Sequence, residues 1–309
     1  CDLVVSISHC AAKAALAPAG VPHVCYCLTP MRYVWHLRDA YFGARHGWRG
    51  LLLDRLLEVL REWDRQTARR VTHFIAVSRT VQGRIADCYG RSSTVIYPPV
   101  NTDFYRPAPV WRQDYYLAVS ALVPYKRLDL AIAACNRLRR PLVIIGAGQE
   151  ERRLRALAGP TVHLLGRQSD GVIRDHLRRC RALLFPGEED FGIVPVEAMA
   201  CGTPVIAFGK GGATETVIPP GVSAEPTGLW FEEQTVDCLC AAMERFERCG
   251  DDLDPAVARR QALRFSRRRF ARELFAYLDA VLQQIGHPRP WKEGRRSVWA
   301  GATEGAGDG

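Results

Sequence analysis

The 309-residue sequence predicts an α/β protein of two domains, each a parallel sheet covered by helices. Three observations lead there. Short apolar runs alternate with helical patterns along most of the chain, as in a sheet buried on both faces. The length exceeds that of a typical single core. A proline-rich break, Pro98-Pro99-Val-Asn-Thr-Asp-Phe-Tyr-Arg-Pro107, splits the alternation into two series.

In the first series, strands are expected at 3–8, 23–27, 73–77 and 94–97. The first of these, Leu3-Val-Val-Ser-Ile-Ser8, reads as a buried strand. An amphipathic helix over 51–69 would turn Leu52, Leu53, Leu56, Leu57, Val59 and Leu60 toward a core. The second series predicts strand 115–119, helix 126–138, strand 142–146, helix 151–158 and strand 162–166. It continues with helix 170–180, strand 182–185, helix 195–200 and strand 204–208. Further helices are expected at 235–248 and 266–285. The boundaries read 1–107, 108–265, a final helix 266–285, and a tail 286–309 whose glycine-rich, polar composition predicts disorder.

The net charge of +9 is almost wholly an arginine effect, because the lysines are Lys13, Lys126, Lys210 and Lys292 alone. A lysine at 126 is therefore less a matter of composition than an arginine would be. The surplus could favour nucleic acid, an anionic membrane leaflet or an anionic small-molecule substrate. Runs such as Arg267-Arg-Arg269 read as solvated helix faces, and no nucleic-acid module or aromatic-basic platform occurs, so no nucleic-acid partner is expected. Eleven cysteines without metal or disulfide spacing point to buried thiols in a reducing compartment, hence the cytoplasm. No apolar run approaches the ~20 residues that span a bilayer. Asp252-Leu-Asp254, a spacing that could hold a metal, falls before a C-terminal helix and reads as helix capping, so no metal and no cofactor is predicted.

The chemistry concentrates in Glu189-Asp-Phe-Gly-Ile-Val-Pro-Val-Glu197, which leads into Ala198-Met-Ala-Cys-Gly202. Two carboxylates lie eight positions apart across a glycine-containing turn that opens a helix. Backbone N–H groups of Phe191, Gly192, Ile193 and Val194, at the positive end of that helix, could receive a phosphate or sugar oxygen. The carboxylates of Glu189 and Glu197 can each accept from adjacent sugar hydroxyls. In open α/β sheets ligands bind beyond the carboxyl ends of strands, and the other candidates fall in such loops: Lys126 with Arg127, Gly146 with Gly148, and Gly166 with Arg167. Gly211-Gly-Ala-Thr-Glu215 leads a short helix, where Glu215 reads as a first-turn acid complementing its own helix dipole.

In this order, Ser120-Ala-Leu-Val-Pro-Tyr-Lys126-Arg127, Gly146-Ala-Gly148, His163-Leu-Leu-Gly166-Arg167, the double-glutamate segment and Gly211-Gly-Ala-Thr-Glu215-Thr-Val217 resemble the retaining glycosyltransferases of family 4. The resemblance runs over roughly 2–285 and implies the GT-B architecture, two Rossmann-like domains facing a cleft. By it, Glu197 would hold the nucleotide ribose, Glu189 a hydroxyl of the donor sugar and Lys126 the diphosphate, while the stretch from Gly166 to Asp170, with Arg167, would line the base pocket through main-chain contacts. The donor would be a GDP-sugar or UDP-sugar and the acceptor a glycan or a lipid-linked sugar, met at the inner face of the membrane. The Cys25-Tyr-Cys-Leu28-Thr-Pro-Met-Arg32-Tyr33 and Val123-Pro-Tyr-Lys-Arg127 segments look most like mannosyltransferases.

Three departures stand out. The family's first strands and early glycine-rich loop have no counterpart here, so the N-terminal domain is expected to be incomplete. Where the family carries an arginine five or six positions before the lysine, this chain has Ala121 and Ser120, with Arg127 as the available substitute. Leu28 stands where the family carries a histidine beside the transferred sugar, leaving His23 or His36 to replace it. These departures motivate a second reading, a truncated or degenerate nucleotide-sugar-binding protein without transferase activity.

Overall fold

A computed structural model describes residues 1–36, 42–43 and 48–286. Two all-parallel sheets form it. The first has four strands in sequence order, β1 (Val4–Ser8), β2 (His23–Cys27), β3 (His73–Ala76) and β4 (Ser93–Val95). Around it stand α1 (Arg32–Trp35), α2 (Trp48–Ala68) and α3 (Arg79–Tyr89), the last capped by Ser78, whose hydroxyl accepts from the Val81 N–H.

The second sheet comprises β5 (Tyr116–Val119), β6 (Leu142–Ile145), β7 (Val162–Leu164), β8 (Ala182–Phe185), β9 (Val205–Phe208) and β10 (Gly228–Phe231). Its spatial order is β10-β9-β8-β5-β6-β7, so the direction of winding reverses between β5 and β8. The helices are α4 (Leu128–Leu138), α5 (Glu151–Leu157), α6 (Asp170–Arg179), α7 (Ile193–Ala200), α8 (Ala213–Thr216), α9 (Val236–Cys249), α10 (Pro255–Leu263) and α11 (Arg267–Gln284). Side chains alternate across the pleat. Tyr116, Ala118, Leu142 and Ile144 share a core with α4 and α9, while Leu117, Ile145, Leu183 and Val205 share the opposite one with α6, α7 and α10. Leu278 and Val281 of α11 lie in the core of the first sheet, and Phe270 packs edge-on against Tyr26 at 5.7 Å.

Three expectations need correction. β1 is an edge strand that buries Ser6 and Ser8 and exposes Val5 and Ile7. The serines belong inside because Ser6 Oγ shares a 2.7 Å hydrogen bond with His23 Nε2, and Ser8 Oγ accepts from the Lys13 N–H at 3.2 Å. On α2 the apolar surface is wider than the core it covers: Leu57 is buried and Leu53 and Leu60 pack beside it, but Leu52, Leu56 and Val59 are exposed. Lys126 closes a 3-10 turn (Pro124–Lys126), and α4 starts two residues later because Arg127 turns into the left-handed region at φ 53°. The final tail, from 287 onward, lies outside the described residues.

The seven cysteines at 25, 27, 88, 135, 180, 201 and 240 are buried free thiols. Asp254 caps α10, its carboxylate accepting from the Ala256 N–H at 2.7 Å. No described helix is long and apolar enough to cross a membrane.

Candidate functional site

The reversal between β5 and β8 places the loops that follow these two neighbouring strands side by side, where a doubly wound sheet opens a crevice. The loop after β5 delivers Lys126 and the loop after β8 delivers Glu189. Their side chains form an ion pair, 13% and 17% exposed. Gly187 makes the approach possible, since a Cβ there would stand 2.9 Å from the Lys126 Cα. Beside the pair is a small cleft of about 10 Å³ bounded by Ser120, Lys126, Gly187 and Glu189, room for roughly one water molecule.

Past Glu189 the backbone is clamped. The Gly212 N–H donates to the Glu189 carbonyl at 2.7 Å, and a Cβ on Gly212 would collide with Phe191 Cα and the Asp190 carbonyl. The Phe191 ring is anchored in the core against Tyr97 and Phe265 at 5.8 and 5.4 Å, leaving its backbone as the part that can face a ligand. Gly192, at φ 82°, turns the chain into α7 without a side-chain cap. The first-turn N–H groups at Ile193 and Val194 therefore lack an intrahelical acceptor and point out of the helix end. The Ile193 side chain is exposed.

Glu197 lies one turn further along α7 in a separate environment. Burial pushes its carboxyl up to about 7, with the nearby Asp170 charge adding to the rise and a hydrogen bond from Tyr105 opposing it. The fold thus joins Lys126 to Glu189 directly, whereas Glu197 faces Tyr105 and Asp170.

The glycine candidates serve the backbone. Gly146, at φ 148°, donates its N–H to the Gly166 carbonyl at 2.9 Å, and the space of its missing Cβ is taken by the Ser120 carbonyl. Gly148 presses on the Leu122 backbone in the same way. Both hold the loops after β5 and β6 together beside Lys126. Arg167 is exposed. Arg127, the expected substitute for a phosphate-binding arginine, instead donates to Asp129 of α4 at 3.2 and 3.3 Å.

Of the two candidate histidines, His23 is fully buried on Ser6, and burial lowers its pKa, so it cannot reach a sugar. His36 is exposed as a residue, yet its ring is partly desolvated; that desolvation, then Arg84, lowers its pKa, while Asp190, Asp87 and Glu188 act in the opposite direction. Leu28 is 36% exposed.

Two arginines were not anticipated. Arg32, on α1, donates through Nε at 2.9 Å and through Nη2 to one oxygen of Asp190, and Arg84 of α3 donates to the other. Arg84 also reaches Glu188 at 3.3 Å. The only sequence signal was the place of Arg32 within the Thr29-Pro-Met-Arg32 segment. Glu215 likewise departs from expectation. Its carboxylate crosses to the first sheet's side and accepts from the Arg79 and Thr80 N–H groups, at 2.8 and 3.0 Å, and from the Tyr97 hydroxyl at 3.0 Å. It caps α3, adding charge where that helix's dipole is positive, rather than complementing its own α8.

A family model described as glycosyl transferases group 1 matches residues 102–262, and one described as glycosyltransferase family 4 matches residues 1–104. Among curated proteins, a GDP-mannose-dependent α-(1-6)-phosphatidylinositol monomannoside mannosyltransferase of Mycobacterium tuberculosis is 32% identical over 200 residues, which cover 54% of this chain and 50% of that protein. An uncharacterized glycosyltransferase of Methanocaldococcus jannaschii is 32% identical over 152 residues, 47% of this chain and 42% of that protein. The chain thus spans about half the length of these relatives. Among solved structures, Anabaena HepE in complex with UDP aligns with a TM-score of 0.63 at 16% identity over 90% of this chain and 99% of that one. The sucrose-phosphate synthase of Thermosynechococcus elongatus aligns with a TM-score of 0.60 at 23% identity over 90% of this chain and 68% of that one. With the first family model covering more than half of the residues, and two parallel sheets that align with these structures, the chain belongs to the glycosyl transferases group 1, within family 4, and has the GT-B fold.

Proposed function

We propose that the protein transfers a hexose, mannose in the first instance, from a nucleoside-diphosphate sugar to a glycan or lipid-linked acceptor, with retention at the anomeric carbon. The observation that carries this reading is the Lys126–Glu189 ion pair at the winding reversal, directly before the uncapped start of α7. In this reading, a donor diphosphate brings charge that competes with Glu189 for the Lys126 ammonium, and the released carboxylate accepts from a hydroxyl of the donor sugar. The first-turn N–H groups of α7 add donors to the same anion. Glu197 accepts from the ribose hydroxyls, and Gly166 and Arg167 flank the base.

The acceptor oxygen forms its bond to the anomeric carbon on the face from which the diphosphate leaves. The carbon–oxygen bond to phosphate breaks, the leaving group carries both electrons away, and its oxygen takes the acceptor proton. The protein's share is then to stabilise the negative charge growing on the diphosphate, the term that removing one donor usually reduces by 100-fold or more. The mannosyltransferase relative in Mycobacterium tuberculosis supports GDP-mannose as the first donor to try. The solved HepE complex supports UDP-sugars as the next. The reaction is assigned to the cytoplasm at the inner leaflet, where an arginine-rich protein would meet a lipid-linked acceptor. No metal or cofactor is assigned a role.

The test is turnover of labelled donor by Lys126→Ala and Glu197→Ala, with circular dichroism to check folding. Folded variants with transfer reduced at least about 100-fold support the site; full activity in either rejects it. A second reading, nucleotide-sugar binding without transfer, is favoured by the apolar Leu28 and by the engagement of Arg127 with Asp129. Calorimetry with GDP and UDP beside the turnover assay separates the two, since binding with no turnover on any donor selects the second.

A further inference from the structure

We propose a second anion site, distinct from the donor site, that binds a phosphoryl group in the crevice between α10, the start of α11 and the chain crossing at Tyr97. The crevice measures about 610 Å³ and shares no lining residue with the Lys126–Glu189 cleft. Arg260 and Arg264 enter it from α10 and its C-cap, four residues apart, while Arg268 and Arg272 enter from α11 with the same spacing. Residues four apart on a helix share a face, so both pairs present guanidinium groups to one space.

The charge there is not balanced internally. Glu215 is engaged by the start of α3 and by Tyr97, Glu273 by Arg269 at 2.8 Å, and Arg260 by Glu225 at 2.7 Å. Arg264 donates to the neutral Gln261, and Arg268 and Arg272 have no carboxylate partner among the described residues. Arg269, 11% exposed, forms part of the crevice wall, its guanidinium held by Glu273 and by the Pro98 carbonyl, so it does not compete with the free forks for an anion. Ser266 caps the 18-residue α11 at this point, adding the positive end of its dipole. Several arginines with planar forks around one space suit a tetrahedral, multiply charged oxyanion better than a carboxylate. Free phosphorylated metabolites and phospholipid headgroups share this chemistry.

The test uses the full chain with inorganic pyrophosphate by calorimetry, and with sedimentation on vesicles of phosphatidylglycerol against phosphatidylcholine. Three proteins are compared with the unaltered chain: Arg264→Gln/Arg268→Gln/Arg272→Gln, Lys126→Ala, and a charge-matched control, Arg152→Gln/Arg153→Gln/Arg155→Gln on α5. The site predicts that the crevice variant loses one pyrophosphate equivalent, or binds it at least about tenfold more weakly, while the control does not. Lys126→Ala keeps that equivalent even if the donor site is lost, so failure of the donor assignment is read separately. Loss of vesicle binding in the crevice variant alone, with pyrophosphate ignored by every protein, assigns the site to a headgroup. Indifference of both probes to the crevice variant, or equal losses in the control, overturns the proposal.

Discussion

At the scale of the residue, Glu197 carries the clearest consequence. An ordinary glutamate ionises near 4.5, but this one is raised to about 7 by burial and by Asp170. A group raised in the folded state holds its proton when the unfolded chain has released it, so its stabilising contribution is complete below about 4.5 and is lost as pH rises through about 7. At ~1.4 kcal/mol per pH unit, this amounts to at most about 3.5 kcal/mol across the window. Glu197→Gln should flatten that decline, as measured by urea unfolding from pH 5 to 8; an unchanged slope would show that another group produces it. Because hydroxyl donors favour the ionised form, donor KM in the unaltered protein should improve as pH rises through about 7, and the glutamine variant should lack this trend.

At the scale of the element, two glycines of similar appearance separate by what surrounds them. Gly212 precedes α8 and lies hard against the Glu189–Phe191 backbone, so Gly212→Ala has nowhere to put its methyl group without moving the candidate site. We expect a loss of about 2 kcal/mol or more in stability, in the range of overpacking changes, together with weakened donor binding. Gly83, inside α3, has nothing within 4 Å of its absent Cβ. Gly83→Ala should instead raise stability by about 0.5 to 1 kcal/mol through helix propensity. Thermal unfolding of both variants checks the pair, and equal effects would mean that the clamp on Gly212 yields easily.

At the scale of the whole molecule, two carboxylates of the second domain's loops are held by the first domain. Asp190, buried, is shared by Arg32 and Arg84, whose side chains are 18% and 17% exposed, and Glu215 caps α3. Removing one partner of a buried pair leaves uncompensated charge, which costs more than the pair contributes. Asp190→Ala should therefore destabilise the protein by on the order of 3 kcal/mol. It should also separate the unfolding of the two sheets when followed by two probes, one in each. An unfolding midpoint equal to that of the unaltered chain would mean that these contacts are incidental to coupling. Glu189 sits between the two carboxylates that Arg84 grips, so the orientation of the candidate site is tied to how the domains meet.

Much of this could be read directly from local pattern. The strands at 23–27 and 182–185 and most helix positions followed from apolar periodicity, because a strand buried on both faces must be apolar wherever it pairs. Lys126, Glu189 and Glu197 could be singled out because a loop after a strand, a glycine turn and a helix start are themselves local features. Other features were not legible. β1 turns its serines inward because of His23, a residue on the next strand. α3 was not among the expected helices, although Val81, Ile85 and Cys88 line up along its buried face. Arg84 gained a role from Asp190, 106 positions away. The amino-acid order alone determined most of the segments that form strands and helices and which loops hold the candidate chemistry, since hydrophobic periodicity and turn geometry act over a few residues. Only the tertiary structure decided which charges meet, because the partner of a half-buried side chain is set by the winding of the sheet and the docking of the domains.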